Sequence, residues 1–381
     1  MAEIELLHGV AEVPREDWNA LVGDESPFLE WDWLASLEHS GVVGEGTGWV
    51  PRPLVAREGG RLLAACPLYV KNHSEGEFVF DWSWADAARR AGIRYYPKLL
   101  VGVPFTPVSG TRFLVASRSE RSVWVARLGQ ALRELCLAND FSSVHVCFCR
   151  GEEIAPLRQV GFELRIGVQY HWLDAGYSDF EAYLGRFRSK RRNQIRRERR
   201  EMEQQGIRIE ALTGDAIPDD VFDRMFRFYL DNIRSKIWGR QYLNGHFFEL
   251  LKERFWHRLC FIVARQDGHP VAGTLNVQKG DSLYGRYWGA EREIRYLHFN
   301  VCYYAAVEHC IREGIQRFEP GAGGDYKQLR GFDAQPTWSL HFISDPRLRE
   351  AVLRFLATER KEAELAIDWL RDHSAFKQAT G

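Results

Sequence analysis

A chain of 381 residues is longer than one ordinary hydrophobic core accommodates, so two domains are expected. An apolar content of 45% with 27% charged residues is that of a soluble globular protein and excludes a disordered or fibrous one. The formal net charge of −1 excludes a global attraction to nucleic acid or to a membrane surface, so any electrostatic partner must be recognised by a local patch.

The seven cysteines are odd in number and sit mostly in apolar patterns without a CxxC pair, which fits buried thiols in a reducing cytosol. The N-terminal MAEIELLHGVAEV has neither a basic segment nor a long apolar one, so no signal peptide is expected. No apolar run approaches the roughly 18 residues a membrane span needs. The expected location is the cytoplasm.

In chain order, residues 15–40 predict two helices, one around Trp18, Leu21 and Val22, the other through Trp31, Leu34 and Leu37. A Gly-rich loop (41–51) leads to LVAREGGRLLAACPLYVKN, where two apolar runs flank Gly59-Gly60 as in a hairpin. EFVFDWSW reads as a strand, 85–110 as irregular, 119–138 as an amphipathic helix, and SSVHVCF and FELRIGVQYHWL as strands around a short helix near Pro156–Val160. The segment 176–256 reads as mostly helical, with helices near 219–236 and 245–256. The stretch Arg186–Arg200 carries nine Lys/Arg and one Glu. The end of the chain reads as one long helix followed by a disordered stub.

The second half repeats the order of the first. CFIVARQDGHPVAGTLNVQ aligns with the earlier hairpin, SLYGRYWG with EFVFDWSW, and the helix holding Cys310 with the one holding Cys136. Gly161-Phe162 and Gly331-Phe332 recur, each followed ten residues after the Gly by a histidine, His171 and His341. The series argues for a duplicated βαβ-containing module, with extra residues of the first copy falling mainly in 85–118.

The richest stretch is Tyr284–Phe332: an aromatic strand, a polar loop, an amphipathic helix, a strand ending in Glu319-Pro320, then a GAGG bend with Asp325, Lys327 and Arg330 beyond it. In open α/β sheets the edge where strands end is the usual place for a site. Glu319 is a candidate to orient or deprotonate an amine, or else a salt-bridge partner of Lys327 or Arg330. Lys327 and Arg330 either grip an anion or oxyanion or pair structurally with Asp325 or Glu319. The first copy has His145 where Glu319 stands, so the charged set is not needed merely to build the module. Tyr287, Trp288 and His298 are candidate cleft walls or core residues. Tyr303 reads as core and Tyr304 as the exposed one. PFTPVSG, with Phe105 and Thr106, is a candidate cleft lip or an ordinary connection. Arg188, Lys190, Arg191, Arg192 and Arg196 form either a phosphate-binding face or a solvated helix paired with acids such as Asp215, Asp219 and Asp220. GxxxxGK[ST], GxSxG and HExxH are absent, and the histidines lack metal-ligand spacing, so no metal is expected.

PFTPVSG, SKRRNQIRRER, KIWGRQYL, LYGRYWG, LHFNVCYYAAVEHCIREG, FEPGAGGDYKQLRGF and LRFLATER together resemble the FemAB-like branch of the GNAT-type acyltransferase superfamily, bacterial proteins linked to peptidoglycan biosynthesis or recognition. The resemblance implies a mixed α/β fold of two tandem GNAT-like domains with a helical insertion and a C-terminal helix. The expected parts are 1–175, a basic helical connection 176–256, 257–345, and the helix 346–381. It also implies transfer of an acyl or aminoacyl group to an amine. The co-substrate would be acyl-CoA or aminoacyl-tRNA with no tightly bound cofactor, and tRNA would dock on the helix 186–200. The family pattern leads one to expect an acid at Asn300 and a histidine at Tyr326. Residues 289–297 lack the Gly-rich pyrophosphate turn of CoA-binding members, which weakens CoA as donor. A non-catalytic RNA- or nucleotide-binding protein of the same fold is the alternative.

Overall fold

The structure is a computed structural model that describes residues 2–236 and 239–377. Contacts divide the chain into two compact units. The first runs to Val168 and takes in Pro336–Ala366; the second is Gln169–Gln335 with the segment from Ile367 onward.

In the first unit, Glu3–Leu6 pairs with Leu54–Glu58, which turns at Gly59-Gly60 into Arg61–Cys66; Leu114–Val115 completes that sheet. Both turn glycines have positive φ, 56° and 82°, which residues with a Cβ avoid. A second set of strands runs Trp49–Pro51, Leu68–Lys71, Lys98–Val101, Ser143–Cys149, then the later part of Asp333–Ile343. Lys98–Val101 and Ser143–Cys149 are parallel, and the helix Arg121–Ala138 is their crossover. Its Leu128, Leu132 and Cys136 bury against Val144, Val146, Leu340 and Phe342.

EFVFDWSW is not a strand. Residues Trp82–Arg90 form a helix, and Lys98–Val101 takes the expected place in the sheet. The apolar alternation misleads because burial is inverted here. Phe80 is 62% exposed, whereas Glu77 and Asp81 are buried. The Lys98 ammonium draws both acids inward: it donates to Glu77 at 2.8 Å and to Asp81, and Tyr95 donates to Asp81 at 2.6 Å. A buried charge is tolerated only with such partners.

In the second unit the order is Ile207–Thr213, Leu259–Gln266, His269–Lys279, Ser282–Ala290, Arg317–Glu319, and then the end of Glu163–Leu173. Ser282–Ala290 and Arg317–Glu319 are parallel and joined by the helical stretch 297–313. The helix Asp219–Arg234 lies on Ser282–Ala290 so closely that a Cβ at Gly289 would stand 1.8 Å from the Phe228 carbonyl oxygen. Glycine is therefore the residue that lets helix and strand meet.

The module thus occurs twice. Each copy has an edge strand, two helices, a hairpin, a strand, a crossover helix and a parallel strand. The segment 176–256, expected to be mostly helical, contains the strand Ile207–Thr213, whose apolar residues at 207, 209 and 211 have the period of two that marks a strand. With the helices Asp219–Arg234 and Gly245–Leu250 it opens the second copy, as Glu3–Leu6 and the helices Arg15–Val22 and Trp31–His39 open the first. The last strand of each copy passes into the other unit. Glu163–Leu173 ends against Arg317–Glu319, and Asp333–Ile343 ends against Ser143–Cys149. That exchange makes the units discontinuous in sequence. The tail is one helix, Pro346–Asp372. Residues 378–381, within the expected stub, lie outside the described residues, as do Ile237 and Trp238 of KIWGRQYL.

Candidate active site

Glu319 is the last residue of a three-residue strand, and its pairing with Tyr284 closes the parallel ladder. Pro320 cannot extend that ladder because it lacks an N–H. Across from it, a Cβ at Gly285 would lie 3.1 Å from Pro320 Cα, so the two backbones touch there. The bend that follows carries φ values of 91°, 71° and 85° at Gly321, Gly323 and Gly324.

The Glu319 side chain is 2% exposed, and neither carboxylate oxygen has a hydrogen-bond partner among the described residues. Two basic groups flank it without closing on it. Arg317 Nε stands 3.5 Å from Oε1, and His171 Nε2 stands 3.8 Å from Oε2. Arg317 is fixed by Ser282 Oγ and Tyr284 Oη, each at 3.1 Å. Burial works against the charge of Arg317, but Glu319 and Tyr284 outweigh it and hold its pKa above the ordinary value. Burial pushes the His171 imidazole below its ordinary value despite Glu319, so the ring is neutral at pH 7. A buried carboxylate without hydrogen bonds carries a desolvation penalty of roughly 1–3 kcal/mol or more. A group that brings its own N–H, such as an amine, relieves that penalty.

Lys327 and Arg330 are both buried. Neither pairs with Asp325 or Glu319. Lys327 Nζ donates to the Gly321 carbonyl at 2.5 Å and reaches that of Ala322 at 3.4 Å, so it pins the bend. Burial lowers it to about 8. Arg330 donates to Tyr326 O at 3.0 Å, lies 3.4 Å over the Phe299 ring, and pairs with Glu198 at 3.5 Å.

Aromatic side chains gather beside the bend. His298 meets Trp288 edge-on at 5.0 Å and Tyr303 at 5.4 Å, with Tyr326 at 6.0 Å. Burial, reinforced by Arg330 and Lys327, lowers His298 to about 4. Tyr287 packs edge-on against Tyr229 at 5.1 Å. Tyr326 is the exposed member, at 41%. Tyr304, expected to face water, is buried and donates to Glu198 Oε2 at 2.5 Å. Its neighbours are a carboxylate and the core, so it is not a cleft wall. Phe105 and Thr106 belong to the first unit and are buried. Phe105 packs on Trp49 and the Thr106 hydroxyl bonds to Pro104 O, so neither offers a lip to solvent.

The basic stretch forms the helix Ser189–Gln204. Its compensating acids are not Asp215, Asp219 and Asp220. Arg196 pairs with Glu181 at 2.5 Å and Arg199 with Glu308 at 2.8 Å, beside a groove of about 580 Å³ that also holds Asp179 and Glu203. Arg191 bonds to Gln194. Arg188 and Lys190 are exposed and Arg192 half-buried, and none of the three has an ion pair among the described residues.

Arg317, His171 and Glu198 were not among the residues expected at a site. The spacing from Gly161 to His171 marked the repeat but gave no hint that its cross-strand partner is Glu319. Glu198 is the one acid of the basic run, and its place in the sequence carries no sign of its partner Arg330. Asn300, where an acid was expected, is buried and donates its amide to the carbonyls of Glu198 and Tyr296 at 3.1 and 3.0 Å. A carboxylate there would face two oxygens.

No group of three or more His, Cys, Asp or Glu placed to hold a metal occurs among the described residues. No helix among them is long and apolar enough to cross a membrane.

A family model described as FemAB-like, peptidoglycan biosynthesis/recognition, matches residues 9–378. FemX, at 11% identity, superposes with a TM-score of 0.55 over 91% of this chain and 99% of that one. The C-terminal domain of a putative lysylphosphatidylglycerol synthetase from Agrobacterium fabrum, at 12% identity, gives 0.55 over 92% and 96%. These likenesses concern the fold, that of tandem GNAT-like domains. A curated protein of Mycobacterium tuberculosis, putative 8-amino-7-oxononanoate synthase 2, is 27% identical over 194 residues, 49% of this chain. The match spans only a quarter of that protein's length.

Proposed function

Because the chain belongs to the FemAB-like family, we propose that it is an N-acyltransferase that moves an acyl or aminoacyl group from an activated ester or thioester to an amine. The observation that carries this reading is Glu319, a buried carboxylate at the end of a parallel ladder with neither oxygen hydrogen-bonded among the described residues. An amine nucleophile satisfies those oxygens as it binds.

In the reaction the amine lone pair attacks the donor carbonyl and a C–N bond forms. Glu319 takes the proton that the nitrogen must shed, as a general base. The tetrahedral adduct collapses, the C–O or C–S bond to the carrier breaks, and the carrier leaves as an alcohol or thiol once protonated. Arg317, 3.5 Å from one Glu319 oxygen, holds a positive charge beside the carboxylate before attack. Lys327 fixes the bend and sets a positive charge beside it, where negative charge develops on the donor carbonyl oxygen. Trp288, His298 and Tyr326 supply an aromatic wall for the acceptor or acyl group. Most of the barrier reduction comes from orientation, which such aminolysis chiefly needs.

For the donor, Arg188, Lys190 and Arg192 favour a polyanion, since no acid among the described residues pairs with them. We therefore favour aminoacyl-tRNA over acyl-CoA, with a peptidoglycan-type amine as acceptor. The test offers alanyl-tRNA and acetyl-CoA separately, with muropeptide amines as acceptors, and follows product by mass spectrometry. Transfer from the tRNA alone supports this reading. Transfer from acetyl-CoA alone transfers the donor role to a thioester. Tight, salt-sensitive tRNA binding with no product from either donor favours a nucleic-acid-binding protein of the same fold.

A further inference from the structure

The duplicated module lets the same position be compared twice within one chain. In the first unit the cross-strand pair is His145 and His341, whose Nδ1 atoms are 2.6 Å apart. Each ring is tied by Nε2 to a serine two residues earlier on its own strand, Ser143 at 2.8 Å and Ser339 at 2.9 Å. All four side chains are buried and bonded to one another. In the second unit, Arg317 opposes Leu173 and Phe318 opposes Trp172, which places Glu319 across from His171. The residues two positions earlier on the two strands are Arg317 and Gln169. The square Ser143, His145, Ser339, His341 therefore corresponds to Arg317, Glu319, Gln169, His171.

The first square is closed. The second is open: its carboxylate lies 3.5 and 3.8 Å from its neighbours and is bonded to neither. One member is common to both, the histidine of the exchanged strand. In the second unit its Nε2 lies 3.4 Å from Gln169 Oε1 and 3.8 Å from Glu319 Oε2. That arrangement suits an Nε2–H pointing between two acceptors, and neutral imidazole keeps one such proton.

We propose that His171 is a positioning residue for the transfer, its Nε2–H facing the Glu319 carboxylate at 3.8 Å and steering it toward the amine without itself accepting the substrate proton. The inference rests on the reading of Glu319 as base. Arg317 does the same from the other side, but as a fixed charge held by Ser282 and Tyr284. The histidine is the adjustable half of the pair.

The test needs no substrate. Infrared difference spectra between the protein and its Glu319→Gln variant isolate the Glu319 carboxylate band, and its midpoint is followed against pH. The same difference is then taken in a His171→Leu and in a His171→Gln background. Removing a donor disfavours the ionised form, so the midpoint rises by about one pH unit in His171→Leu. In His171→Gln, which restores an N–H, it returns to within about half a unit. Arg317, Tyr284, Lys327 and Asp281, the other charged or titratable groups around the pair, are unchanged throughout. A midpoint that does not move in His171→Leu, with the protein still folded by its melting curve, overturns the inference. Loss of folding in His171→Leu leaves His171→Gln to decide, since a midpoint displaced there by a full unit also contradicts it. Transfer that survives Glu319→Gln instead sinks the reading of Glu319 as base, whatever the spectra show.

Discussion

Glu198, the one acid in the basic stretch Arg186–Arg200, is ion-paired with Arg330 at 3.5 Å, and both side chains are buried. Glu198 also accepts from Tyr304 at 2.5 Å and Gln194 at 2.7 Å, while its backbone carbonyl takes the Asn300 amide. The basic helix is thereby keyed to the stretch that ends the Gly-rich bend. Breaking a buried pair by removing one partner costs about 3–5 kcal/mol, because the other charge is left unpaired. Glu198→Ala is accordingly expected to lower the unfolding free energy by about 3 kcal/mol in urea titration. A loss under about 1 kcal/mol would mean the pair does not hold the helix.

Asn300→Asp tests the same junction from the other side. The introduced carboxylate would meet the carbonyls of Glu198 and Tyr296 rather than donors. Its folded-state pKa would rise above the unfolded value, so the penalty is full at neutral pH and relieved as the group protonates. We expect a loss of about 2–3 kcal/mol at pH 7 that shrinks toward pH 4. A variant as stable as the parent at pH 7 would show that the site tolerates the acid expected there.

Gly289→Ala places a methyl against the Phe228 carbonyl oxygen, 1.8 Å from the ideal Cβ. Helix and strand must separate, a cost of about 3 kcal/mol or more. Insoluble or strongly destabilised protein is expected in a thermal melt, and an unchanged melting temperature would place the helix elsewhere.

The closed square of the first unit carries a pH signature. Burial lowers His145 to about 3 and holds His341 well below the ordinary imidazole value. With both folded-state values depressed, the unfolded chain binds protons that the folded one refuses. Their contribution to stability is present above pH 6.5 and is lost as pH falls toward 3. Glu77, raised by burial to about 7, acts with the opposite sign between pH 7 and 4.5. His341→Asn removes one refused proton, so between pH 6 and 4.5 the fall in stability becomes shallower by about 1.4 kcal/mol per pH unit. Equal slopes in the two proteins would contradict the neutral His145–His341 pair.

For the basic helix, Arg188→Ala, Lys190→Ala and Arg192→Ala in combination should leave the melting temperature within a degree or two, since none holds an ion pair among the described residues. The variant should weaken tRNA binding and flatten its dependence on salt by about 0.7 log units per lost contact. Unchanged tRNA affinity would remove the helix from the donor site.

The fold was legible where a local pattern decides it. Gly59-Gly60 fixed one hairpin, and the paired series ending in His171 and His341 revealed the duplication. Two features escaped because they depend on partners distant in sequence. The acids Glu77 and Asp81 turn inward only because Lys98 lies there. The last strand of each copy reads as belonging to its own copy, and nothing in its residues says that it ends in the other unit. At the candidate site, Glu319 stood out in the sequence from its place before Pro320. Its partners Arg317 and His171 were not, since a strand end shows which residue lies beside the site but not what stands across the ladder. Lys327 and Arg330 were found for their charge, while their bonds to backbone carbonyls and to Glu198 required the fold.

The role proposed for Glu319 is that of proton acceptor in acyl transfer. Its most direct test is kcat/KM of the Glu319→Gln variant, measured with whichever donor gives product and with folding checked by melting. Glutamine keeps the shape and cannot take the proton, so a fall of about 10²- to 10⁴-fold is expected. Transfer within about threefold of the parent would contradict it.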